Sequence, residues 1–378
     1  MCDIERMFHQ FLVNEEDRDY LRFLWWENGE TSNKPQEYRM KVHLFGAASS
    51  PGCANYGLKH LATQHENEFP SAASFIMRNF YVDDGLKSTA TEEEAKGLVT
   101  EVQEICARGG LRLHKFISNS REVMEGIPVD DRAAGVKDVD LGRDDLPTER
   151  ALGIQWCVET DMFIFHIQAK DHSLTRRGIL SMVASIYDPL GFLAPFVLIG
   201  KGILQEMCQH GVNWDDPLPD KLRPRWEKWK DDLINLKEIQ IPRCYVPNDF
   251  GRVVTVELHH FSDASTCGYG QCSYLRFIGE DGVHCTLVAG KARVAPVKIV
   301  TIPRLELTAA VVSVLMSHMI KEELDVTINK EFFWTDSQVV LGYIGNKAKR
   351  FHVFVANRIQ KICQFSEPCQ WHYVSTDV

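Results

Sequence analysis

The chain has 378 residues, 44% of them hydrophobic and 25% charged, and 52 Asp and Glu outnumber 42 Lys and Arg to leave a formal net charge of −10. That length accommodates two or three domains with real cores, and the composition is that of a soluble globular protein. Secreted and membrane-spanning classes are disfavoured: acids stand at Asp3 and Glu5 with no apolar stretch beside them, the apolar-looking segment 179–204 is broken by Asp188, Pro189, Gly191 and Pro195, and the eleven Cys include no Cys-x-x-Cys pair.

In chain order, Asp3-Ile4-Glu5-Arg6-Met7-Phe8 places an acid at a strand end and an aromatic five positions later. Taken alone, Phe8 reads as core. Tyr20–Trp26 is a predicted strand. Val42–Pro51 is rich in small residues at its end, which lets a backbone approach a ligand closely, and it opens a predicted helix. The run Phe75-Ile76-Met77, then Phe80-Tyr81-Val82, reads as a strand entering a tight turn at Asp83-Asp84-Gly85. Adjacent carboxylates repel and raise the pKa of at least one of them, so the pair suits a hard divalent cation such as Mg²⁺. Gly110–Lys115 is a further strand, and Lys115 taken alone reads as an exposed surface residue. Leu152-Gly153-Ile154-Gln155-Trp156 fits a hairpin or a buried strand, and 122–149 a loop.

Residues 174–187, 192–210 and 224–236 carry apolar residues at helical spacing, with Trp226 and Trp229 on a core face. Segment 241–251, rich in Pro, Asn and Gly, marks a boundary. Beyond it, three strands are predicted at 253–261, 268–277 and 285–294, the first leading into Asp263. A helix opened by Pro303 carries Glu306, and the strand 332–335 leads into Asp336. Strand-Asp, helix-Glu, strand-Asp is the ribonuclease H order; integrases place their Glu last. From Ser337 to Ser366 the chain has Lys347, Lys349, Arg350, Arg358 and Lys361 and no acid. Such a local basic track binds a duplex even in an acidic chain, or is a solvated helix face.

Motif by motif, the chain resembles the polymerase–ribonuclease H part of a BEL/Pao-type retrotransposon polyprotein. The resemblance rests on Asp3–Phe8, Tyr81-Val82-Asp83-Asp84, Leu190-Gly191-Phe192-Leu193-Ala194-Pro195 and Pro303-Arg304-Leu305-Glu306-Leu307. It implies an α+β and α/β multidomain fold: a reverse-transcriptase palm at 1–168, a helical thumb or connection at 169–248 and a ribonuclease H-like mixed sheet with helices at 249–378. It implies Asp3, Asp83 and Asp84 as polymerase carboxylates and Asp263, Glu306 and Asp336 as nuclease carboxylates. Each set would hold two Mg²⁺, for which Mn²⁺ can substitute. Phe8 becomes the gate against a ribose 2′-hydroxyl, Lys115 a triphosphate contact, and Lys347, Lys349 and Arg350 nucleic-acid contacts. Substrates and partners would be an RNA template, a DNA primer, dNTPs, an RNA–DNA hybrid and the rest of the polyprotein, in a cytoplasmic particle or the nucleus and without a membrane.

The chain departs from the retroviral pattern at Phe45, where that pattern has Gln. It also lacks an Asp-Thr/Ser-Gly signature for an aspartic protease. The resemblance further implies fingers ahead of Asp3 and a fourth nuclease carboxylate beyond residue 378, with Asp377 a turn residue. The expectation is therefore a fragment with impaired catalysis; the alternative is a non-catalytic nucleic-acid-binding remnant of a retroelement.

Overall fold

The computed structural model describes residues 1–165, 167, 172–346 and 350–375, and the chain divides into two compact units, Met1–Met162 and Phe163–Val378. Both mix helices and sheets, so the α+β and α/β multidomain expectation is borne out.

The first unit runs β1 (Cys2–Ile4), β2 (Arg22–Trp25), β3 (Gln36–Arg39), α1 (Ser50–Gln64), α2 (Pro70–Asn79), β4 (Phe80–Tyr81), β5 (Asp84–Gly85), α3 (Glu92–Arg108), β6 (Leu113–His114), α4 (Arg121–Glu125), β7 (Thr148–Ala151) and β8 (Ile154–Cys157). Its central sheet is antiparallel, in the order β4-β5-β1-β6. Helices α1, α2 and α3 pack against one another through Ala54, Leu58 and Ala62, Ala72 and Ile76, and Val102 and Ile105, all buried. The acidic run Glu92-Glu93-Glu94 forms the first turn of α3, where the Thr91 hydroxyl accepts the Glu94 amide at 3.2 Å and the helix dipole favours negative charge.

Three expectations need correction here. Phe75, Ile76 and Met77 are helical, because Pro70 starts α2 and Ala72, Ala73, Phe75 and Ile76 recur on one buried face. The strand predicted over Tyr20–Trp26 shortens to Arg22–Trp25, since Glu15–Leu21 winds as a 3₁₀ helix. The strand over Gly110–Lys115 keeps only Leu113 and His114, because Lys115 turns left-handed at φ 52°. At Leu152-Gly153, two consecutive positive φ values (48° and 87°) make the tight hairpin turn between β7 and β8.

After β9 (Met162–Ile164), the second unit begins with α5 (Arg176–Ala184), α6 (Ala194–Gln209) and α7 (Arg223–Asp232). These bury Ile179, Met182, Ile203, Met207, Trp226 and Trp229 in one core, with the rings of Phe196, Trp229 and Trp226 stacked at 5.0 Å intervals. Next come β10 (Gln240–Pro242), β11 (Val253–Ala264), β12 (Gly268–Gly279), β13 (Val283–Val294), α8 (Ile302–Glu323), β14 (Lys330–Thr335), α9 (Gln338–Ile344), α10 (Val353–Phe365) and β15 (Trp371–Tyr373). Five of these strands form a mixed sheet ordered β13-β12-β11-β14-β15. Its β11–β12 and β12–β13 pairs are antiparallel, and its β11–β14 and β14–β15 pairs parallel. Helix α8 packs on β11 and β12, and α10 packs on α8.

The turn between α5 and α6 docks on this sheet. The Asp188 carboxylate accepts the Phe192 and Leu193 amides at 2.9 and 2.8 Å, and the Gly290 amide of β13 donates to the Leu190 carbonyl at 2.7 Å. Gly191 is at φ 76°, and a Cβ there would lie 1.8 Å from the Gly290 carbonyl oxygen. Both the dihedral and the space demand glycine. Gly191→Ala should therefore destabilise the chain by about 3 kcal/mol or more in urea denaturation. Gly202→Ala, in helical α6 with nothing within 4 Å of the new Cβ, should stabilise it by up to about 1 kcal/mol.

Candidate functional site

The first acidic set is assembled by strand register. Asp3 of β1 lies opposite Asp84 of β5 on one side and His114 of β6 on the other. Asp83 sits in the two-residue turn between β4 and β5, and its carbonyl accepts the Ile4 amide at 3.0 Å. The other turn residue, Val82, is held at φ 58°. A β-branched side chain there is strained, and strain of this kind concentrates at working sites.

Three carboxylates are thus brought to one edge of a small sheet. Burial pushes the Asp84 carboxyl up, Asp83 and Asp3 push it further, and Lys115 opposes them. Asp3 itself is compensated: the His114 imidazole donates from Nε2 to Oδ1 at 2.7 Å, and the Lys115 ammonium donates to Oδ2 at 3.0 Å. Lys115, expected near a triphosphate, here supplies the positive charge that three clustered acids require. The left-handed backbone at residue 115 is the local reason, since it ends β6 and turns the chain there. Phe8 is buried on a short 3₁₀ turn, and its ring meets Phe45 edge-on at 4.8 Å. Phe45 also meets His9 at 5.6 Å and remains largely exposed.

The second set lies at one end of the mixed sheet. Parallel pairing joins Ser262 to Thr335, so the next residues, Asp263 and Asp336, stand at neighbouring strand ends. Glu306, in the second turn of α8, reaches the same end, where the Ser337 hydroxyl donates to its Oε2 at 2.5 Å. Asp263 is exposed and accepts the Ala264 amide at 2.6 Å. Asp336 Oδ1 is buried with no hydrogen-bond partner. A buried carboxylate oxygen without a donor is costly, and a cation is the usual remedy.

The donor chemistry of both sets, all carboxylate oxygen, fits a hard divalent ion. Among the described residues, no three His, Cys, Asp or Glu side chains converge to ligand distances. Arg350 is exposed just after α9, while Lys347, Lys349 and Asp377 lie outside the described residues. Sequence reasoning missed His114 and Ser337. Both had a signal: His114 precedes Lys115 in the strand already singled out, and Ser337 follows Asp336 at the start of a helix.

The family model of the Pao retrotransposon-like RNaseH-like domain matches residues 175–337. No curated protein matches the chain. Among solved structures, one described as the foamy viral protease-reverse transcriptase dRH in complex with double-stranded DNA is similar, with a TM-score of 0.57 and 13% identity over 99% of this chain. This chain spans only 56% of that one. Over residues 175–337 the family match agrees with the BEL/Pao-type resemblance read from the sequence, and the structural match bears out the fold.

Asp84 gives a testable consequence. A carboxyl whose pKa is raised on folding holds its proton more tightly folded than unfolded. Its contribution to stability is therefore full below the unfolded value, about 4, and is lost as pH rises through the folded value. In EDTA, Asp84→Asn should melt above wild type at pH 7, with the gap closing toward about pH 4. Mg²⁺ should raise the wild-type midpoint more than that of the variant.

Proposed function

We propose that this chain is the catalytic part of a retroelement reverse transcriptase with ribonuclease H. It divides into a palm (1–168), a helical thumb or connection (169–248) and a ribonuclease H-like domain (249–378). The observation that carries the reading is the assembly of two separate carboxylate sets, each by strand register at the end of its own sheet. In the palm, Asp3, Asp83 and Asp84 would hold Mg²⁺; at the mixed sheet, Asp263, Glu306 and Asp336 would do so. When bound, the ions neutralise charge on the phosphoryl group and activate the attacking oxygen.

The protein groups divide the remaining work. Phe8, braced by Phe45, forms an apolar wall for the sugar of an incoming dNTP. Lys115, whose ammonium rests on Asp3, would offer that charge to the leaving pyrophosphate. Ser337 fixes the Glu306 carboxylate, and Asp336 keeps an oxygen free for a ligand. The substrates are an RNA template with a DNA primer for one site and the RNA strand of an RNA–DNA hybrid for the other. The retroelement's cytoplasmic particle or the nucleus is the setting in which both occur.

One observation favours a second reading, a non-catalytic nucleic-acid-binding remnant: both oxygens of Asp3 are already engaged by His114 and Lys115. Two assays with Mg²⁺ separate the readings. Hybrid cleavage should fall by about two orders of magnitude or more in Asp263→Asn and in Asp336→Asn. Primer extension should fall comparably in Asp83→Asn. Hybrid binding that ignores both Mg²⁺ and all six acids, with no turnover in either assay, would favour the remnant.

A further inference from the structure

Helix α10 carries a stripe that the acidic sets do not use. Phe354, Arg358, Lys361 and Phe365 recur at i, i+4, i+7 and i+11, one face of a helix. Each cation lies on a ring of that stripe: the Arg358 guanidinium is 3.5 Å from the Phe354 ring centre, and the Lys361 ammonium 4.6 Å from that of Phe365. A second guanidinium joins from α8, with Arg304 at 5.1 Å from the same Phe354 ring. Two like charges thus share one aromatic platform.

Neither arginine has an acidic partner within salt-bridge distance among the described residues, although acids outnumber bases in the chain. Arg358 is half-buried, and its hydrogen bonds go to neutral acceptors, the Thr308 hydroxyl at 3.1 Å and the Phe354 carbonyl at 3.1 Å. Burial lowers its pKa. Thr308, which accepts from Arg358, follows Glu306 by two residues on α8, so the uncompensated charge stands on the helix segment that carries that acid.

We propose that Arg304 and Arg358, oriented by Phe354, form a clamp for a backbone phosphate of the nucleic acid that lies against the mixed sheet. This rests on the nucleic-acid reading above and extends it to residues outside the acidic sets. Arg358 gives Nε to Thr308 and Nη1 to the Phe354 carbonyl, which leaves its Nη2 donors for a phosphate, and the stacked Arg304 adds its own N–H donors. The pairing of two cations is tolerated because the ligand is an anion. Phosphate contact carries no base information, so the clamp sets register and affinity rather than sequence preference.

The test is hybrid affinity as a function of salt. A fluorescein-labelled RNA–DNA hybrid is titrated with the whole chain in Ca²⁺, which slows turnover, over a range of KCl. Arg358→Gln should weaken binding about tenfold and reduce the slope of log K against log salt by about one. Arg304→Gln should also lower the slope, and its exposed side chain leaves the core untouched if Arg358→Gln proves poorly folded. Arg358→Lys, which keeps charge but loses the planar fork, should retain the slope and bind with intermediate affinity. Wild-type slope and affinity in both Gln variants would overturn the clamp while leaving the nucleic-acid reading intact. Absence of saturable binding by the wild type at any salt would remove that reading and the clamp together.

Discussion

Mutual repulsion between carboxylates is the constraint around which both units are arranged. Each unit carries acids to the end of a sheet, where folding brings like charges closer than the unfolded chain would. The two solve the problem differently. In the first, the Lys115 ammonium pairs with Asp3 and the His114 ring hydrogen-bonds to it, while Asp84 is left with its pKa pushed up. In the second, Ser337 satisfies Glu306 and Asp263 binds its neighbour's amide, while an oxygen of Asp336 is left bare. One site thus stores its cost as a shifted proton affinity and the other as an unmet hydrogen bond. Either is a cost that a bound cation would relieve.

How far the sequence shows this depends on the length of the element. The long strands of the mixed sheet, such as Val253–Ala264 and Gly268–Gly279, and the helix Ile302–Glu323 have enough residues for alternation and helical spacing to speak. The sheet of the first unit is built from strands of two or three residues, Phe80–Tyr81, Asp84–Gly85 and Leu113–His114, which are too short to carry a period. There the acidic tetrad was legible as a motif, but its support was misread: Phe75 to Met77 are helical. The left-handed turn at Lys115 was invisible, because Lys has no preference for that region and tertiary contact with Asp3 decides it. Arg304 and Arg358 are far apart in sequence, and only the packing of α10 on α8 shows that they share a ring.

The turn at Asp188–Leu193 explains why a helical block and a sheet behave as one unit. Its backbone touches β13 directly at Gly290, with no side chain between them. Contact of that kind leaves little slack, because interiors are close-packed and a single added methyl must displace backbone. The family match runs over the same stretch, from Thr175, whose hydroxyl caps α5, to Ser337, whose hydroxyl caps α9. Its span therefore covers both partners of the contact.

Ser337 shows how local folding and site chemistry are tied. Its hydroxyl accepts the Val340 amide at 3.2 Å and so starts α9; its proton goes to Glu306 at 2.5 Å. The cap fixes the hydroxyl's position, and the position fixes the carboxylate. A hydroxyl at this place can do both because it is donor and acceptor at once. Alanine would lose the cap, at about 1 kcal/mol, and would also remove the hydrogen bond that holds Glu306. Asparagine or aspartate would restore the cap, yet aspartate would add a fourth negative charge to a site already limited by repulsion. The short polar residue after the last acid is therefore constrained twice, once by the helix it begins and once by the charge it must not carry.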